Sequence, residues 1–256
     1  MAARVWSVEF IGHRGASFDA PENTLASFKL GYAQGADGVE LDIHLTKDGR
    51  AVVMHDYDTA RVGGSKTKIV NQTLAELQQV NIGAWGKWTN QPFQEKIPSL
   101  EQALKTTPAG KKIFIEIKTG PEIIPALKKD LRMSGLKPEQ VRIITFNYDS
   151  AVASKKTFPQ LKTYWLVGYS KDKATGKLPE LDETIEKAKA ANVDGLDLNF
   201  NWPLTRENVA KIKAAGLECH VWTVDDPAKA RELADAGVDS ITTNRPGWLR
   251  EQLENK

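Results

Sequence analysis

The sequence predicts an α/β protein: a single (β/α)8 TIM barrel over residues 1–256, with a small inserted lobe at about 57–98 after the second strand unit. Three observations lead there. Short apolar, β-branched runs alternate with amphipathic stretches of ten or more residues, the pattern of parallel βαβ units. About eight such units can be counted, enough to close a barrel, where five or six would leave an open doubly wound sheet. The length of 256 residues is what one barrel requires.

The first strand is expected at 8–11 and feeds a helix at 24–34, whose first turn Pro21 suits. The second strand, 39–45, carries an extra extension at 51–54. Beyond the inserted stretch, helix 99–105 leads to strand 113–117, helix 122–133 leads to strand 141–145, and strand 163–167 follows. Helix 182–191, strand 195–198, helix 205–215, strand 218–224, helix 227–236 and strand 240–242 complete the series. Three helix-to-strand joins share one phrase, AQGADGVEL at 33–41, KAANVDGLDL at 189–198 and ADAGVDSIT at 234–242. The Gly or Asn in each fits a left-handed helix cap. No Gly-x-Gly-x-x-Gly follows the first strand, which argues against a dinucleotide-binding sheet. The stretch 57–98 is too long for an ordinary connection; its Trp85, Trp88 and Phe93 either cover a site or seat the insertion on the barrel.

A hydrophobic fraction of 41% and a charged fraction of 27% are those of a soluble globular chain with a sizeable core. With 35 basic and 33 acidic residues, and no basic run able to track a phosphate backbone, no nucleic-acid partner is expected. Cys219 is the single cysteine, so there is no internal disulfide; its apolar strand reads as the home of an inert buried thiol in a reducing compartment. MAARVWSVEFIG lacks the apolar core of a signal peptide, and no segment approaches the roughly 20 apolar residues of a membrane span. A cytoplasmic protein without stable membrane insertion is the expectation.

Chemistry concentrates at strand ends. In VELDIHLT, Glu40 and Asp42 leave the same face of a strand, with His44 next in line. Two carboxylates inside a barrel are costly without a cation between them, and a hard divalent metal is the simplest one; ion pairs at an open strand end are the other reading. IFIEIKTG repeats the geometry with Glu116 and Lys118, either a third metal ligand beside an anion-binding ammonium or a buried ion pair. His13 and His55 close two strands and together can take and give a proton, since imidazole titrates near working pH. Arg14 can grip phosphate oxygens bidentately. His44 and His220 read as structural histidines.

The ordered set HRG (13–15), PENT (21–24), ELD (40–42), KDG (47–49), VVMHD (52–56), EKIPSL (95–100), EIK (116–118) and VWTVD (221–225) resembles the glycerophosphodiester phosphodiesterases. Each motif alone is weak, but their order from residue 11 to about 225 is specific. The resemblance implies a (β/α)8 barrel that hydrolyses small-molecule glycerophosphodiesters to sn-glycerol 3-phosphate and an alcohol, with one divalent cation, Ca2+ or Mg2+, through a cyclic phosphate. It implies His13 and His55 as the general acid/base pair, Glu40, Asp42 and Glu116 as metal ligands, and Arg14 and Lys118 as phosphate contacts. Trp222 matches an aromatic on the glycerol side of the pocket, and 57–98 the family's small lobe beside the mouth. Within PENT, Glu22 or Asn23 could reach back to orient Arg14, or the motif could simply start the helix. A lysophospholipase D or sphingomyelinase D-like enzyme on the same barrel is the alternative. A non-catalytic relative is disfavoured, because His13, Glu40, Asp42, His55 and Glu116 are all present.

Overall fold

Eight parallel strands close on themselves in the structure, a computed structural model that describes residues 7–254. The strands are β1 (Glu9–Gly12), β2 (Gly38–Leu45), β3 (Ala51–Val53), β4 (Lys112–Ile117), β5 (Val141–Thr145), β6 (Lys162–Val167), β7 (Gly195–Asn199), β8 (Glu218–Trp222) and β9 (Ser240–Thr243). Each parallel strand pairs with the next in the ring, and β1 closes it by pairing with both β9 (Glu9 with Ser240) and β2 (Ile11 with Gly38). β3 alone is antiparallel, a hairpin extension of β2 with His44 opposite Val52, as the run at 51–54 foretold. The fold is the (β/α)8 barrel that the sequence predicts.

Side-chain alternation divides each strand between two environments. On β2, Val39, Leu41 and Ile43 pack outward among Phe28, Leu100 and Ile113 beneath the helices, so Glu40, Asp42 and His44 face the other way. The barrel interior is filled by Ile11, Phe114, Ile144, Tyr164 and Leu166. Deeper polar groups pair off: the Tyr164 hydroxyl donates to Glu218 Oε2 at 2.6 Å, and His220 Nδ1 meets Ser240 Oγ at 2.7 Å. His220 is therefore a structural histidine. With its waist plugged, the barrel opens toward a ligand at its C-terminal rim, where barrel enzymes carry their sites.

Helix boundaries follow capping chemistry. The first helix is Leu25–Ala33, capped by Thr24, whose hydroxyl accepts from Ser27 N and donates to Pro21 O. Pro21 thus lies ahead of the helix and not in its first turn: Thr24 supplies a side-chain cap, and the chain becomes helical only after it. Gly35, Asn192 and Gly237 have φ of 87°, 54° and 95°, the left-handed caps predicted at the three repeated joins. The helix expected at 122–133 begins as a 3-10 turn, Pro121–Ile123, and becomes α-helical over Ile124–Ser134. β8 ends at Trp222, two residues before the predicted limit of 224. Helices at Tyr148–Thr157 and Pro246–Glu254 were not foreseen.

Between β3 and the helix Leu100–Leu104 run two short helices, Ala60–Gly63 and Leu74–Leu77, with 3-10 turns between and after them. They enclose a small apolar cluster of Val62, Ile69, Leu77 and Ile82, seated on Val52 and Met54. Trp85 packs against this cluster, while Trp88 is buried edge-on to Phe93 at 5.4 Å. These aromatics seat the inserted segment, and none lines the central cavity. Cys219 is buried against the outer core, and burial pushes its thiol up, so it is inert. Among the described residues, no helix is long and apolar enough to cross a membrane.

Candidate active site

Glu40 and Asp42 on β2 and Glu116 on β4 are brought together by the register, which sets Asp42 beside Glu116. One ligand atom from each lies within 4.8 Å of the others, and all three residues are buried. Burial and the two neighbouring carboxylates push Glu40 well above the ordinary range. Burial, then Asp42, pushes Glu116 up to about 7. Burial acts the same way on Asp42, but Lys118 and Arg14 outweigh it and hold this carboxyl at about 2. Lys118 Nζ stands 2.8 Å from Glu116 Oε1 and 3.3 Å from Asp42 Oδ1, and Arg14 Nε 3.4 Å from Asp42 Oδ2. Glu40 Oε1 is buried without a hydrogen-bond partner, and Asp42 Oδ1 is buried with only the Lys118 ammonium 3.3 Å away. Crowded carboxylates with open buried oxygens suit a hard divalent cation, which favours oxygen donors; the donor set fits such an ion.

The turn after β1 supplies the second group. Arg14 has a positive φ of 54°, which aims its backbone N–H at Glu40 Oε2, 2.8 Å away. Its guanidinium donates to Glu22 Oε1 at 2.8 Å, and Glu22 also accepts from Arg61 Nη2 at 2.6 Å and Nη1 at 3.0 Å. Glu22 therefore does orient Arg14 and ties it to the inserted segment. Asn23 donates from its backbone N–H to the Arg14 carbonyl at 3.1 Å, and its side chain serves the acidic cluster, donating from Nδ2 to Asp42 Oδ2 at 2.8 Å.

Both expected histidines reach the same cavity, and each has Nδ1 already occupied. Asn244 donates from Nδ2 to Asp225 Oδ2 at 2.6 Å, which orients the amide and leaves Oδ1 to accept from His13 Nδ1 at 2.7 Å. His13 must therefore carry its proton on Nδ1, with Nε2 unprotonated in the neutral ring. Burial and the adjacent Arg14 lower its pKa to about 4, despite the Asn244 bond. His55 donates from Nδ1 to Asp56 Oδ1 at 2.7 Å, and Asp56 Oδ2 accepts from Arg61 Nε at 2.7 Å. Although burial opposes it, Arg61 and His55 keep Asp56 below the usual carboxylate range, so it acts as an acceptor. His44 donates from its ring to the His55 carbonyl at 3.1 Å and stacks edge-on to Tyr57, which makes it a structural support.

The cavity, about 140 Å³, is lined by His13, Arg14, Glu40, His55, Glu116 and Lys118 on one side, and by Ile144, Phe146, Leu166, Asp197, Trp222, Thr223 and Thr242 on the other. Trp222 is held by its indole N–H on the Asp197 carbonyl at 3.1 Å and by Phe146 edge-on at 5.3 Å. Of the residues expected to react, to hold a metal or to touch substrate, His13, Arg14, Glu40, His55, Glu116, Lys118 and Trp222 line this cavity, and Asp42 is paired with Arg14 and Lys118 of the lining. Asp56, Arg61, Asp197, Asp225 and Asn244 were missed. Asp56 had a visible signal, the neighbouring carboxylate in HD; Asn244 had none, standing 231 residues from the histidine it holds.

This arrangement has counterparts. The sequence model of the glycerophosphoryl diester phosphodiesterase family matches residues 13–248. A glycerophosphodiester phosphodiesterase of Bacillus subtilis is 32% identical over 254 residues, covering 92% of this chain and 83% of that protein. One from Caldanaerobacter subterraneus is 33% identical over 247 residues, covering 93% and 95%. Among solved structures, an Oleispira antarctica phosphodiesterase in complex with the product sn-glycerol-3-phosphate superposes with a TM-score of 0.84 at 28% identity, covering 96% of each chain.

Proposed function

The chain belongs to the glycerophosphoryl diester phosphodiesterase family, and on that premise we propose that it hydrolyses glycerophosphodiesters to sn-glycerol 3-phosphate and an alcohol, with His13 as general base and His55 as general acid. One observation carries the assignment: both imidazoles have Nδ1 committed to an acceptor, so at a shared cavity Nε2 is the nitrogen each has left for substrate. His13, neutral at neutral pH, removes the proton from the glycerol hydroxyl next to the esterified carbon as that oxygen bonds to phosphorus. The phosphorus–oxygen bond to the alcohol breaks, and His55 protonates the departing oxygen. Water then opens the cyclic phosphate with the roles exchanged: His55 takes its proton and His13 returns one to the glycerol oxygen. No protein nucleophile is required.

Arg14 and Lys118 are the cations that would face the phosphate oxygens, and Trp222 would pack on the carbon side of the glycerol. Glu40, Asp42 and Glu116 would hold one divalent cation, calcium or magnesium. When bound, that ion supplies positive charge against the attacking glycerol hydroxyl and the phosphate. The lysophospholipid and sphingomyelin alternative is not favoured, since the full-length relatives described above are glycerophosphodiester phosphodiesterases.

The test is sn-glycerol 3-phosphate release from glycerophosphocholine, with lysophosphatidylcholine as the competing substrate and calcium or magnesium added. His13→Ala and His55→Ala should each lose at least about 10²-fold in kcat. Near-normal turnover by His13→Ala would remove it from the reaction.

A further inference from the structure

The charged half of the cavity is accounted for by the chemistry above, but the opposite half holds one ionisable side chain among the described residues, Asp197. It lies on β7, in register with Leu166 on β6 and His220 on β8, and is 1% exposed. Its Oδ1 meets no hydrogen-bond partner among the protein's own groups. No hydrogen bond joins it to His220, whose Nδ1 meets Ser240 and whose Nε2 lies 3.3 Å from Glu218. Nor does Asp197 join the three carboxylates whose ligand atoms fall within 4.8 Å of one another. The rest of this half is mostly apolar, with Ile144, Phe146, Leu166 and Trp222 beside the two threonines Thr223 and Thr242.

A buried carboxyl with an open oxygen, set in a mostly apolar wall of a ligand cavity, is unfavourable unless something polar completes it. The substrate's two ends are distinguishable by chemistry. The leaving alcohol must lie beside His55, from which a second hollow opens past Tyr57, Phe146 and Asn147. The buried end by Asp197 is left for the glycerol. There its carbon faces would lie against Trp222 and Leu166, and a hydroxyl would need a partner.

We propose that Asp197 is a specificity residue whose carboxyl hydrogen-bonds the terminal glycerol hydroxyl, the one that does not attack phosphorus. This rests on the functional reading above and adds to it a means of rejecting phosphodiesters of shorter or less hydroxylated alcohols. A site built around a substrate hydroxyl discriminates strongly against the analogue lacking it, because its own polar group is then left buried and unpaired.

The experiment compares glycerophosphocholine with the matching propane-1,2-diol phosphocholine, which keeps the attacking hydroxyl and lacks the terminal one, using the whole protein with added magnesium or calcium. The native protein should prefer the glycerol substrate by at least about 10²-fold in kcat/KM. Asp197→Ala should lose activity on that substrate while holding it on the analogue, so that the two rates converge to within about threefold. Asp197→Asn, which can still hydrogen-bond, should keep most of the preference. Should the alanine variant fail to fold, Asp197→Leu fills the space with an apolar group and makes the same comparison. Equal losses on both substrates would mark Asp197 as merely structural and overturn the proposal, as would a native protein indifferent to the hydroxyl. A native protein inactive on both substrates would instead overturn the functional reading on which the proposal stands.

Discussion

Replacing Asn244 by alanine should slow turnover without weakening substrate binding, because Asn244 touches His13 and lies outside the cavity lining. Its amide is oriented by Asp225 at 2.6 Å, and its oxygen accepts from His13 Nδ1 at 2.7 Å. Without that acceptor the imidazole is free to carry its proton on Nε2, a form that cannot take a proton there. The lost hydrogen bond to a largely buried group is worth about 1–3 kcal/mol. At about 1.4 kcal/mol per tenfold, the reactive tautomer, and with it kcat, should fall by about 5- to 150-fold. KM should stay within about twofold, since no ground-state contact to substrate is removed. Ser17→Ala is the control: Ser17 Oγ donates to the same Asn244 oxygen at 2.7 Å, so its loss leaves the histidine bond in place and should cost less than about threefold. The assay is steady-state release of sn-glycerol 3-phosphate, paired with nitrogen NMR of the His13 ring. Unchanged kcat in folded Asn244→Ala, or a raised KM at constant kcat, would refute the tautomer argument.

Two further predictions concern protons. His13 has a folded pKa of about 4 against 6.5 for the free side chain, so between those values the unfolded chain binds more protons and stability rises with pH. Its contribution is complete above the unfolded value and is lost as the pH falls toward the folded one, at most about 3 kcal/mol. Urea unfolding of the native protein and His13→Gln at several pH values between these limits checks it; parallel slopes would count against it. Glu116, pushed up to about 7 by burial and by Asp42, holds a proton at pH 6.5 that a cation must displace, and Glu40 is pushed in the same direction. Adding magnesium or calcium to metal-free protein at pH 6.5 should release about one proton or more, and fewer at pH 8.5. Calorimetry in two buffers of different ionisation enthalpy measures this, and identical heats in both at pH 6.5 would contradict it.

The barrel was legible because its strands are short, apolar and evenly spaced, and because three left-handed caps punctuate it. The helix Tyr148–Thr157 escaped notice because its buried stripe is Ser150, Ala151 and Ser154, small residues that leave no hydrophobic period to read. Pro246–Glu254 opens on Pro and Gly, a pair common in turns, although Pro suits a first helical turn. In the site, the proposed reacting and ligating groups stood out because charge within apolar strands demands a reason. Their supports did not, since a polar residue in a loop is ordinary until the fold gives it a partner.

Closure of the barrel is what turns those loop residues into machinery. His13 follows β1 and Asn244 follows β9, and only the pairing of first strand with last sets them side by side. Glu22 acts similarly across the rim: by binding both Arg14 and Arg61, it links the His13 turn to the inserted segment that holds Asp56 and so His55. The two imidazoles are thus placed by contacts between segments far apart in the chain. Loosening the β1–β9 seam should therefore impair proton transfer before it exposes the core, because Asn244 is lost from His13 while the outer apolar clusters still pack.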